Sequence, residues 1–229
     1  MDALSEASGR PWWEVKQLLG GLVRSTGPEQ EKAGGTLILP DRLGPLLPVH
    51  RRYLEGRGLD PDVMEQEHGF RGIGLALKLA WRVWIPIRLH GKTVSWTTRS
   101  VVPDAEVRYV NARTNQEAIK AKHLLYNEDL CGHAIIVVEG CMSAVKVGKG
   151  CVATMGVNVT DRQVARIASK PVRAICLDAQ PQAQARAREL CRRLAPFPGV
   201  TVNVVLESAK APDDASEEEL NELRRRFLA

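Results

Sequence analysis

The chain has 229 residues, 44% hydrophobic and 26% charged, with a formal net charge of +5. That is long enough for one large domain or a main domain with a smaller lobe. No apolar run approaches the roughly 20 residues of a membrane-spanning helix, and the start MDALSEASGRPWW lacks the basic-then-apolar order of a signal peptide. A cytoplasmic protein with no membrane contact is expected.

Residues 4–19 read as a short amphipathic helix pair broken at SGRP, followed by the polar, glycine-containing linker RSTGPEQEKAGG. LPDRLGPLLP is punctuated by proline and predicts an extended stretch, neither helix nor central strand. VHRRYLEGRGLDPDVMEQEHG is helical at both ends, with Gly56 and Gly58 closing one helix and Asp60-Pro61 opening the next. RVWIPIRL and TVSWTTRS, separated by HGK, predict a hairpin turning at His90-Gly91.

After His133 the period changes. The apolar runs AIIVV, CVATM, VRAICL and VTVNVVL alternate with predicted helices over 142–149, 160–169, 181–194 and 216–228, with Thr160 and Ser216 as N-caps. Strands apolar on both faces, alternating with helices, predict a mainly parallel sheet covered on both sides. Five cysteines with no CxxC pair fit small buried hydrophobes in a reducing compartment, and no zinc is expected.

Ligands of open parallel sheets collect beyond the carboxyl ends of the strands. Glu139 follows IIVV, Asp178 follows AICL, and Asp213 with Asp214 lies just beyond NVVL. Any one of these acids is explained by solvation at a strand end. Three at corresponding places point to an oxygen-donor cluster of the kind Mg²⁺ takes. Gly140 is expected to let the backbone turn sharply after Glu139.

IIVVEGCMSAVKVGKGCVATMGVNVTDRQVARIAS followed by RAICLDAQPQAQARARELCRRL resembles the TOPRIM domain of DnaG-type primases, whose family motifs are EGxxD and DxD. HRRYLEGRGL, RVWIPIRLHGKTVSWTTRS and VRYVNARTNQEAIKAKHLLYN are similar to the preceding part of the primase RNA-polymerase core, and the likeness spans about residues 50–214. Residues 3–19 resemble the last helix of a primase zinc-binding domain without its ligands. The resemblance implies an α/β fold: a TOPRIM, Rossmann-like, mainly parallel sheet with helices on both faces, preceded by a smaller mixed α/β lobe. It divides the chain into a helical segment (1–23), a linker (24–47), the primase-like lobe (48–130) and the TOPRIM domain with its C-terminal helix (131–229).

Carried over by motif, Glu139 and Asp178 are the implied catalytic residues, and Glu139, Asp178 and Asp213 the implied ligands of Mg²⁺ or Mn²⁺. Ser143 stands for the aspartate of EGxxD, Gln180 for the second acid of DxD, and Ala211 for an acid of the third motif. Half of the family's acidic set is thus absent, so the metal site is weakened. Phosphoryl transfer leans on metal ions to neutralise developing charge.

Arg82, Arg99, Arg108, Tyr109 and either Lys120 or Lys122 are the implied nucleic-acid contacts; the spacing before LLY leaves the lysine open. Trp84 and Trp96 are candidates for base stacking, although alternating Trp and Arg in a hairpin ordinarily means one buried and one solvated face. The implied function is that of a phage- or plasmid-like primase acting on single-stranded DNA and nucleotides in replication, with primer synthesis weak or lost. A helicase or a separate zinc-binding primase component is the implied partner. The reading kept beside it is a non-catalytic nucleic-acid-binding or accessory module using the basic groove.

Overall fold

A computed structural model describes residues 35–228. The expected helical segment at 1–23 and residues 24–34 of the linker lie outside the described residues.

The first half is an antiparallel sheet. Strands β1 (Leu43–Gly44), β2 (Arg71–Ile73), β3 (Arg82–Leu89), β4 (Lys92–Ser100) and β5 (Tyr109–Asn111) pair in chain order. The proline-rich stretch thus yields only a two-residue edge strand. The predicted hairpin forms where expected. His90 and Gly91 both take positive φ (52° and 74°), as a tight primed turn requires. Their amides donate to the two carboxylate oxygens of Asp129, each at 2.8 Å.

Two helices precede the hairpin. Helix α1 (Pro48–Glu55) ends at Gly56, and α2 (Pro61–Gln66) is capped by Asp60, whose carboxylate accepts from the amides of Asp62 and Val63. Gly58, at φ +66°, lies where a Cβ would stand 2.8 Å from the Lys146 ammonium, and its carbonyl accepts a bond from that ammonium. The turn after α1 is thereby pinned to the second half of the molecule.

That second half is a four-stranded parallel sheet in the order β7-β6-β8-β9, from β6 (Ala134–Val138), β7 (Cys151–Ala153), β8 (Val172–Ile175) and β9 (Val200–Asn203). Its helices are α3 (Cys141–Val147), α4 (Asp161–Ala168), α5 (Pro181–Leu194) and α6 (Glu217–Leu228). Every β6 residue is buried, and the side chains alternate between two cores. Ile135 and Val137 pack with Val164, Ile167, Ala187 and Leu190 of α4 and α5. Ile136 and Val138 pack with α3, with Leu220 and Phe227 of α6, and with Val83, Ile85 and Ile87 of β3. The mainly parallel sheet covered on both faces is therefore present, with the antiparallel sheet sharing one of its cores.

Thr160 caps α4 as expected, accepting from the Gln163 amide, and Ser216 accepts from the Glu219 amide at the start of α6. Arg224 of α6 reaches the last carbonyls of α3, Val147 and Lys146, satisfying groups that a helix end leaves without partners. No helix among the described residues is long and apolar enough to cross a membrane.

Candidate functional site at the edge of the parallel sheet

Glu139 follows the last residue of β6 directly, and Gly140 is the N-cap of α3. Gly140 sits at φ −109°, a backbone open to any residue, and a Cβ there would meet only the Tyr109 hydroxyl at 3.9 Å. The chain does bend at Glu139 and Gly140, as expected, but the bend does not use a conformation reserved for glycine.

The loop after β8 carries Asp178, and the amide of Ala179 donates to the carbonyl of Lys210 at 2.7 Å. That bond draws the β8 loop against the 3₁₀ turn Pro212–Asp214, which presents Asp213. Glu139, Asp213 and Asp214 all lie within electrostatic reach of Asp178. Burial first, and then these three neighbouring acids, push its carboxyl up to about 6. Burial likewise raises Glu139, against the pull of Arg186 and Lys122.

Asp213 is already engaged on both oxygens. Ser143, inside α3, donates its hydroxyl at 2.9 Å to one, and the guanidinium of Arg57 forms a close ion pair with the other. Arg57 lies in the turn after α1, 5.4 Å above the ring of Tyr53. Burial works against its charge, and Tyr53 and Asp213 outweigh burial, so the guanidinium is held more firmly protonated than usual. The Tyr53 hydroxyl accepts from Arg99 Nε at 2.8 Å, and Arg99 stacks 4.8 Å over the ring of Tyr109. Cations and rings thus alternate from the 3₁₀ turn to β5. Beside them Tyr109, Asn111, Thr97, Glu139 and Met155 line a cavity of about 150 Å³. Burial of the Tyr109 hydroxyl, with Cys141 nearby, raises its pKa against the pull of Arg99.

The structure separates the two lysines. Lys122 points its ammonium at the carbonyls of Thr154 and Asn158, both at 3.4 Å, and interacts with Glu139, while burial lowers its pKa. Lys120 is exposed, as is Arg108. Arg82 departs from the expected groove cation: it is 7% exposed, and its guanidinium donates to the carbonyls of Val107 and Arg108. The reason is local, since Arg82 opens β3 and holds down the loop leading into β5. Trp84 and Trp96 are also turned inward, packed with Ile73, and the Trp96 indole donates to the carbonyl of Ile38 at 2.8 Å. Neither presents a face for a base.

Among the described residues no three His, Cys, Asp or Glu side chains converge as ligands of one metal ion. Glu139, Asp178 and Asp213 share an edge without forming a closed ligand set. The neutral Ser143 and Gln180 add no charge, and Asp213 has no free oxygen. As arranged, these donors do not fit the Mg²⁺ or Mn²⁺ that the family resemblance implies.

No protein-family model matches the sequence, and no curated protein matches it. Solved structures do match. The RNA polymerase domain of Mycobacterium tuberculosis primase DnaG superposes with a TM-score of 0.64 at 18% identity, over 78% of this chain and 76% of that one. The fold is that of a DnaG-type primase core. The zinc-binding and RNA polymerase domains of the Aquifex aeolicus primase give 0.56 at 19% identity, over 90% of this chain and 54% of theirs. The primase fragment of the bacteriophage T7 primase-helicase gives 0.53 at 14%, over 82% and 81%.

On this primase-core fold, sequence reasoning passed over Arg57, Tyr53, Asn111 and Arg186 as site residues. RRYLEGRGL marks the segment that carries Tyr53 and Arg57, but nothing in it says that Arg57 meets an acid 156 residues away. Arg186 reads as one of several solvated arginines on α5 until the fold places it near Glu139.

Proposed function

We propose that the chain is a primase-like protein that acts on single-stranded DNA in replication, with RNA primer synthesis weak or lost. One observation carries this reading. On a primase-core fold, the strand-end acids Glu139, Asp178 and Asp213 adjoin a ladder of cations and rings, Arg57–Tyr53–Arg99–Tyr109, with Lys122 and Arg186 beside Glu139. Phosphates of a single strand suit the cations, and the exposed Arg108 and Lys120 extend that surface. Asn111 and Glu139 at the cavity offer polar groups to a nucleotide.

The weakness of catalysis follows from charge. In-line phosphoryl transfer needs the developing negative charge neutralised by metal ions or fixed cations. Ser143, Gln180 and Ala211 supply no carboxylate, and Asp213 is tied to Arg57. A primase core of this kind works with a template-binding zinc component or a helicase supplied as a partner. The T7 neighbour is described as a primase-helicase and the Aquifex neighbour as carrying a zinc-binding domain.

Fluorescence anisotropy with a labelled single-stranded oligonucleotide tests the reading, with a duplex of the same sequence as control. Salt-sensitive binding that favours the single strand, weakened by Arg108→Ala and Lys120→Ala, is the expected result. Absence of binding even at low salt removes the reading. A primer-synthesis assay on the same strand with ribonucleotides then measures how much catalysis is left.

A further inference from the structure

We infer that Arg57 is a resident cation of the acidic edge, holding at Asp213 the position that a divalent ion would otherwise need. The inference rests on geometry and not on the DNA-binding reading above. Asp213 presents two oxygens, and each is taken by the protein itself, one by the Ser143 hydroxyl at 2.9 Å and one by the Arg57 guanidinium. The side chains of the pair are only 25% and 18% exposed, so the charge is neutralised away from bulk water.

Arg57 is built into this place from three sides. Its own backbone amide bonds the Leu54 carbonyl at the end of α1, fixing the turn. The Tyr53 ring lies beneath the guanidinium, and the Tyr53 hydroxyl is itself fixed by Arg99. The turn is pinned to α3 by the bond from Lys146 to the Gly58 carbonyl. A guanidinium does not lose its proton at any pH a folded protein meets, so this neutralisation is permanent, whereas a metal ion exchanges.

The neighbouring acids are less closely held, and Asp178 has only other acids near it. Glu139 lies within electrostatic reach of Lys122 and Arg186, which come from a 3₁₀ turn and from α5. Ser143 fits beside an occupied Asp213 because a hydroxyl donates to the carboxylate. An aspartate in its place would set two like charges together, with Arg57 already at Asp213 as the balancing cation. At Asp213 the charge is therefore balanced by the protein's own cation, and a ligand meets that carboxylate without a divalent ion.

The test is a calorimetric Mn²⁺ titration of the full chain, with thermal unfolding in Mn²⁺ or EDTA as a second readout. Wild type is expected to show no saturable binding at millimolar Mn²⁺ and no metal-dependent shift in melting temperature. Arg57→Gln is expected to gain Mn²⁺ affinity by about tenfold or more, and the gain is expected to vanish in Arg57→Gln with Asp213→Asn. Saturable binding by wild type that Asp213→Asn abolishes overturns the inference. So does a folded Arg57→Gln that gains nothing. If Arg57→Gln does not fold, Ser143→Asp decides: with Arg57 still in place it should bind no Mn²⁺, and binding there would show that a missing acid, not Arg57, excludes the metal.

Discussion

The two sheets of this molecule spend their polar residues in opposite ways. In the antiparallel sheet, residues that read as functional from sequence are turned inward: Arg82 braces the carbonyls of Val107 and Arg108, and Trp84 and Trp96 fill a small core over Ile73. In the parallel sheet, the residues that read as functional stand where the strands run out: Glu139 directly after β6, and Asp178 three residues past β8. The difference comes from where each residue sits, within a strand or beyond its end. The antiparallel sheet is covered on both faces here, so a tryptophan or arginine along a strand becomes packing. A parallel sheet buries its strands whole and offers polar groups a place only at the strand ends.

The sharpest way to break this comparison is at Trp96. Trp96→Ala is expected to cost about 3–5 kcal/mol by cavity formation, measured by urea unfolding. Trp96→Phe, which keeps the core filled, should leave affinity for single-stranded DNA unchanged. A large affinity loss in a stable Trp96→Phe protein would make that face a base platform after all.

Arginines give the next contrast. Arg82→Ala strands two part-buried carbonyls and should destabilise by about 1–3 kcal/mol. Arg108→Ala at an exposed site should stay within about 0.5 kcal/mol while lowering the salt slope of DNA binding by about 1. Reversal of these two effects would erase the distinction between bracing and contacting arginines.

At the strand ends, charge is held at a cost. The carboxyl of Asp178 titrates near 6, above its ordinary value, so the folded state holds that proton more tightly than the unfolded chain. Stability from this group is therefore present at low pH and lost as pH rises through the interval up to about 6. Asp178→Asn should stabilise the protein at pH 7 by about 1–2 kcal/mol, discounted for its half exposure, with the gain fading below about pH 4. A destabilised Asp178→Asn would mean that the acid is structurally needed.

The smallest effect lies back in the antiparallel half. His50 is fully buried, accepts from the Leu47 amide at 3.0 Å, and has its pKa lowered, chiefly by burial. The unfolded chain then takes up the proton first, and stability falls as pH drops below about 6.5, by at most ~1.4 kcal/mol per pH unit. Because Asp178 acts with the opposite sign, this slope is best read in the Asp178→Asn protein, where His50→Gln should flatten it.

Much of this was legible in the chain. The alternation of AIIVV, CVATM, VRAICL and VTVNVVL with helical segments reports burial on both strand faces, which local pattern records well. The Asp60-Pro61 cap, the His90-Gly91 turn and the Thr160 cap are local chemistry, and each formed where read. The short strands β2 and β5 left no such pattern, because three residues do not establish a period. Gly140 lies in the bend expected after Glu139, but a glycine in the sequence does not disclose its φ, and this one is negative.

By itself, the sequence determined which strands end in acids, which of the motif's acids are replaced, and that a primase-like core was to be expected. Only the tertiary structure decided which cations reach those acids. Arg57, Lys122 and Arg186 come from a turn, a 3₁₀ segment and a helix far apart in the chain, and Arg82 resembles them until its carbonyl partners are seen. Hydrophobic period and capping are set by neighbours within a few residues, and so they are written locally. The pairing of a charge depends on which distant element folding brings within a few ångströms, and no local pattern carries that.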